Sequence, residues 1–117
     1  MSSTVYEFRR TSTENLWEFE NRFMTELENN AVELETVYNH ITKTDSAEVL
    51  LLVCEKYYFR NGSMASLTLQ CVSENNEQKV TVIGNGGGEG ILNISYGANA
   101  NFAKKAAKIL TNMGFVQ

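Results

Sequence analysis

The sequence predicts an α+β two-layer sandwich: an N-terminal strand and helix, an antiparallel meander of about five strands, a C-terminal helix, and both helices on one face of the sheet. Three observations predict it. Apolar residues recur at helical spacing near both ends of the chain, the period changes to two through the middle, and there is no proline to interrupt either pattern. A chain of 117 residues with 43% apolar content supports one core, so residues 1–117 read as one domain.

The elements follow in order. "TVYEF" at 4–8 is a first strand. "TSTE" at 11–14 has the form of a capping box, in which the Thr11 hydroxyl and the Glu14 carboxylate would each satisfy a backbone donor at a helix start. Leu16, Phe19, Phe23 and Leu27 then lie on one helical stripe, which Trp17 and Met24 are expected to widen. "VELETVYNH" (32–40) places Val32, Leu34, Thr36 and Tyr38 on one side of a strand. "AEVLLLVCEKYYFR" (47–60) and "SMASLTLQCV" (63–72) form a hairpin across Asn61-Gly62, a strong tight-turn dipeptide. "KVTVI" (79–83) and "ILNISY" (91–96) add two more strands. Phe102, Ala106, Ile109, Leu110 and Met113 mark the last helix, with Asn99 or Asn101 as its cap and Gly114-Phe115 as a left-handed stop with an apolar clasp.

"GNGGGEG" at 84–90 invites comparison with phosphate-binding loops. A dinucleotide fingerprint needs glycine at its sixth place, where this chain has Glu89 or Ile91 according to register, and no Gly-Lys-Ser/Thr follows. Phosphate loops also lead into a helix N-terminus, whereas "ILNISY" predicts a strand. The stretch reads as a hairpin, a bulge or a close approach of two backbones, with a loop at the rim of a binding site as the alternative.

Charge and residue types narrow the chemistry. The net charge of −4 disfavours phosphate backbones, so no nucleic-acid partner is expected. No apolar run reaches a membrane span and no export signal is evident, so neither a membrane partner nor secretion is expected, and the chain reads as cytoplasmic with reduced thiols. Residues 13–35 hold seven glutamates against Arg22 alone, while 98–117 hold Lys104, Lys105 and Lys108 with no acid, so the two helices are expected to sit side by side. His40 is the only histidine, and no paired ligand spacing joins it to Cys54 or Cys71; no metal site and no cofactor are expected. With a turn near Thr44-Asp45, His40 falls opposite Val49 and roughly 16 Å from Cys54, too far for an activated thiol.

A two-residue turn at Asn61-Gly62 sets Cys54 against Leu69 and Cys71 against Leu52, a diagonal roughly 7–8 Å apart that does not favour a disulfide. It also sorts the hairpin into two faces. Leu50, Leu52, Cys54, Lys56 and Tyr58 meet Ala65, Leu67, Leu69 and Cys71 beneath the helices. Val49, Leu51, Val53, Glu55, Tyr57 and Phe59 meet Met64, Ser66, Thr68, Gln70 and Val72 on a face that two helices cannot also cover. A homodimer, sheet against sheet or edge to edge, would bury Tyr57 and Phe59. A groove in which Glu55, Tyr57, Phe59 and Arg60 meet a small molecule or peptide is the other occupant. Lys56 either snorkels to the rim or marks a shifted register. Lys56 and Arg60 among aromatics would also suit a single-stranded RNA platform, but the surrounding acidity and the absent glycine-aromatic signature argue against it.

"EKYYFRNGSMASLTL", "GNGGGEG" and "SYGANANFAKKAAKILTNMGF" together resemble a family of small, uncharacterised bacterial proteins known as a domain of unknown function. The resemblance covers most of residues 47–115 and implies Glu55, Lys56, Tyr57, Tyr58, Arg60, Asn61, Gly86, Gly87, Gly88, Tyr96 and Gly97 as shared positions; it brings no activity with it. The layout is also similar to helix-grip folds, many of which hold apolar ligands between helix and sheet, although fold does not fix function. The expected function is therefore that of a non-enzymatic homodimeric domain with an open sheet face, whose interface or ligand residues are Glu55, Lys56, Tyr57, Phe59, Arg60, Gly86, Gly87, Gly88 and Tyr96, with no catalytic residue. The alternative is an enzyme whose site lies around Glu55, Lys56, Tyr57, Arg60 and the glycine loop 84–90.

Overall fold

A computed structural model describes residues 3–29, 34–58, 62–86 and 98–117. The chain runs β1 (Ser3–Thr11), α1 (Leu16–Glu28), β2 (Leu34–Lys43), β3 (Ala47–Tyr58), β4 (Ser63–Glu74), β5 (Glu77–Gly86) and α2 (Ala98–Asn112). The strands form one antiparallel sheet in the order β1-β5-β4-β3-β2. The meander therefore has four described strands; the strand expected at 91–96 lies outside the described residues. Between β1 and β2 the chain passes from one edge of the sheet to the other, and α1 lies in that crossing.

Both helices bury their apolar stripes on the same sheet face. Leu16, Phe19, Phe23 and Leu27 of α1 and Phe102, Ala103, Ala106, Ile109 and Leu110 of α2 share one core with Phe8, Leu50, Leu52, Cys54, Leu67, Leu69, Cys71, Val80 and Val82. Trp17 does not widen the stripe: it is 66% exposed. The helices also meet end to side, since Lys105 Nζ donates to the Asn29 carbonyl at the end of α1, 2.7 Å away. A cation there complements the negative end of the helix dipole.

The start of α1 differs from expectation. Asn15 is the cap, its side chain accepting from the Glu18 amide at 2.8 Å. Thr11 still belongs to β1, and its hydroxyl donates to Glu77 at 3.0 Å. The Glu14 carboxylate is drawn instead to Arg10 and Arg22. Glu48 accepts from the Leu16 amide at 3.1 Å and satisfies a further donor of the first turn. At the other helix Asn99 and Asn101, expected just before its start, lie within α2. Its end is as expected: Gly114 has φ +99°, the Phe115 amide reaches back to the Leu110 carbonyl at 3.0 Å, and Phe115 enters the core.

Two registers are shifted by two residues. In β3-β4, Cys54 opposes Leu67 and Cys71 opposes Leu50. Tyr58 pairs with Ser63 and Gly62 has φ +67°, so the register is not the one that a two-residue turn at Asn61-Gly62 would set. The tight turn falls in the next hairpin, where Asn75 and Asn76 both have positive φ between the paired Glu74 and Glu77. That pattern suits a two-residue hairpin loop. In β2-β3, His40 opposes Leu51 and not Val49. A shift of two preserves the side of every residue, so the partition of β3 and β4 into two faces stands.

A third difference does change sides. A bulge between Thr36 and Tyr38 puts Leu34, Thr36, Asn39 and Ile41 on the helix-covered face, and Tyr38 and His40 on the other. Tyr38 is therefore separated from Leu34 and Thr36.

Candidate functional site

The face turned away from the helices is built by alternation along all five strands, and its rows can be read across the sheet from the pairing. One row runs Tyr38, Val53, Thr68, Ile83, Val5. It contains no charged residue. Beside it lies His40, Leu51, Gln70, Thr81, Glu7, and beyond that Thr42, Val49, Val72, Lys79, Arg9. On the other side Glu35, Glu55, Ser66, Asn85 and Ser3 follow, and Tyr57 pairs with Met64 at the far end.

Charge thus lies off the central row. Arg9 and Lys79 stand together two rows to one side, Glu35 faces Glu55 in the adjoining row on the other, and Glu7 sits on the edge strand β1. The centre is apolar and hydroxylic. Val5 and Tyr38, at the two ends of the central row, are 57% and 50% exposed, and Leu51, Tyr57 and Met64 are exposed as well. Exposed aromatic and aliphatic side chains thus occur on four of the five strands of this face, β1, β2, β3 and β4.

Of the residues singled out in the sequence, Glu55 and Tyr57 lie on this face, two positions apart on β3. Lys56 does not. It lies on the helix side, where its ammonium is 5.9 Å from the centre of the Phe102 ring. Burial holds the neighbouring Lys105 amine below its ordinary range, and the Lys56 charge adds to that effect. Gly86 is the buried last residue of β5, paired with Ala65, and Gly84 is likewise a strand residue paired with Leu67. The first part of the glycine stretch is therefore sheet, not loop. Phe59, Arg60, Gly87, Gly88 and Tyr96 lie outside the described residues.

The thiols and the histidine do not converge. Cys54 is buried on the helix side and His40 is on the other face. Burial pushes the Cys54 thiol up to about 11 and the Cys71 thiol up to about 12. Among the described residues no three histidines, cysteines or acids gather where a metal could bind, and no described helix is long and apolar enough to cross a membrane.

Sequence reasoning missed the central row because three of its members, Val5, Tyr38 and Ile83, come from strands whose order and bulge are not visible in a linear pattern. It also missed a groove of about 670 Å³ between α1 and β2, lined by Trp17, Glu20, Met24, Glu28, Asn39 and Ile41 among others. The one signal for it in the sequence is Trp17, an apolar residue whose neighbours one helical turn on, Glu20 and Asn21, are polar.

Compared with known proteins, residues 5–114 match the model of a family of unknown function. No curated protein matches the chain.

Proposed function

The chain belongs to DUF6054, a family of unknown function, and on that premise we propose that it is a non-enzymatic cytoplasmic domain that works as a homodimer joined through its open sheet face. The observation that carries this reading is the uncharged central row Tyr38, Val53, Thr68, Ile83, Val5, with charges only around it. An apolar core inside a polar rim is the anatomy of a protein interface.

Size supports the same reading. Five strands about 4.8 Å apart and about 30 Å long offer on the order of 800 Å², which is what one partner contributes to a stable complex. A second copy would present the same row about 10 Å away, as aligned sheets pack. A small molecule would cover only part of a face this wide.

The test is the mass in solution of the wild type and of Ile83→Lys, by sedimentation velocity and native mass spectrometry. Ile83 is half-buried in that row, between Thr68 and Val5. A wild-type dimer and a folded Ile83→Lys monomer support the proposal. A wild-type monomer, a dimer that survives the substitution, or a bound small molecule released by it overturns the proposal.

A further inference from the structure

We propose that the groove between α1 and β2, together with the outer edge of β2, takes up an extended, lysine- or arginine-bearing segment of a partner protein as an added strand. This surface is distinct from the centre of the open face, and its use does not depend on the homodimer.

The two edges of the sheet are treated differently. On β1 the chain covers one end of its own edge: Arg9 exchanges both backbone hydrogen bonds with Val116, at 2.8 and 2.9 Å. On β2, pairing among the described residues is with β3 alone. An edge left with unpaired donors and acceptors is a template for another strand. The bulge at Thr36–Tyr38 disturbs the start of this edge, and the regular stretch that follows, Tyr38–Lys43, runs beside the groove.

The groove supplies what an added strand needs for its side chains. The bulge aims Asn39 and Ile41 toward α1, and Met24, whose sulfur is 3.9 Å from the Cys54 thiol, lies at the base. Trp17 lines the groove and is two-thirds exposed. A volume of about 670 Å³ admits several side chains.

Charge selects among strands. Glu20 and Glu28 line the groove, and no lysine or arginine does. The fields of both carboxylates reach the Cys54 thiol beneath it, where they add to the effect of burial. Asn39 Nδ2 donates to Glu20 at 2.8 Å and fixes that carboxylate in place. Cations spaced along an incoming strand therefore meet two carboxylates eight residues apart on α1 and an exposed indole, which also favours cations. A second copy pairing through β2 would bring the same acids together, which disfavours it.

Trp17 is the only tryptophan, so its emission reports on this groove alone. The experiment titrates the full chain with an end-blocked peptide of about eight alternating lysines and valines, an ordinary strand length. Three controls run beside it: the same peptide N-methylated at alternate amides, a glutamate/valine peptide, and the Glu28→Lys variant. The proposal expects a saturable blue shift of Trp17 with the lysine peptide and none with the glutamate peptide. It also expects roughly tenfold weaker binding in Glu28→Lys, the scale of reversing one exposed charge, and loss of binding on N-methylation. Equal binding of the N-methylated peptide would reduce the effect to charge alone and overturn strand addition. Equal binding of the glutamate peptide, or no saturable shift, also overturns it. A blue shift on concentrating the protein without peptide places a second copy in the groove and overturns it as well.

Discussion

The guanidinium of Arg10 lies 4.4 Å above the ring of Phe115, joining the end of the first strand to the residue that closes the last helix. The same group donates to Gln78 at 2.8 Å, to the Met113 carbonyl at 2.8 Å and to Glu14 at 2.7 Å, with only 8% of its side chain exposed. Gln78, fully buried, returns its own amide to the Glu14 carbonyl at 2.8 Å. One cation thus ties β1, β5, the entry to α1 and the exit from α2 together.

Removing that cation is expected to cost more than an ordinary surface change. Arg10→Ala leaves Gln78 and the Met113 carbonyl without their donor and is predicted to lower stability by about 3 kcal/mol. Arg10→Lys keeps the charge but cannot reach three acceptors at once, and should lose roughly half as much. Urea unfolding followed by circular dichroism measures both. A loss below about 0.5 kcal/mol in Arg10→Ala, the range of neutral surface substitutions, would show that the network contributes nothing.

Acid should act through Glu14. The hydrogen bond from Arg22, and after it that from Arg10, hold its carboxyl below the ordinary value of 4.5, against an opposing effect of burial. Its folded value is therefore lower than its unfolded one, so this stabilisation is fully present above about pH 4.5 and is lost as pH falls through the folded value. In Glu14→Gln the loss is already complete at neutral pH. Urea midpoints of wild type and Glu14→Gln should differ at pH 6 and draw together as the medium is acidified below 4.5. Parallel curves across that range would assign the acid response to other groups.

The thiols should be inert while the chain is folded. With Cys54 pushed up to about 11 and Cys71 to about 12 by burial, roughly one thiol in a thousand or fewer is ionised at pH 8. The observed register also separates them: Cys71 opposes Leu50, four positions along β3 from Cys54, about 13 Å. Iodoacetamide followed by intact-mass measurement is expected to add nothing to the native protein and two groups to the urea-unfolded one. Rapid native labelling, or a disulfide in the native state, would contradict this placement.

Gly114 isolates a backbone effect. A Cβ built on it meets nothing within 4 Å, yet its φ is +99°. Gly114→Ala should therefore cost about 1 kcal/mol from conformation alone, which for a domain of this size lowers the melting temperature by about 3–6 °C. An unchanged melting temperature would mean that the helix end relaxes to another stop.

Local pattern alone makes several features of this chain legible. The stripes of α1 and α2 can be read because a helix repeats every 3.6 residues whatever it packs against, and Gly114-Phe115 because a left-handed stop needs glycine at one place. The two faces of β3 and β4 are also legible, since a register error of two residues returns each side chain to the same side. The opposition of Glu55 and Tyr57 to the helix layer follows from that alone. Three things were decided only by the tertiary structure. Hairpin register rests on the pairing of Tyr58 with Ser63 and on a two-residue turn at Asn75-Asn76, which pairing along the whole strands selects over the dipeptide Asn61-Gly62. The side of Tyr38 and His40 rests on one extra residue in β2, a feature with no periodic signature. The placement of Val5 and Ile83 beside Thr68 rests on the pairing of β1 with β5, residues far apart in the chain. Periodicity is a property of the local backbone, whereas register, bulges and strand order are set by contacts that exist only after the chain has folded.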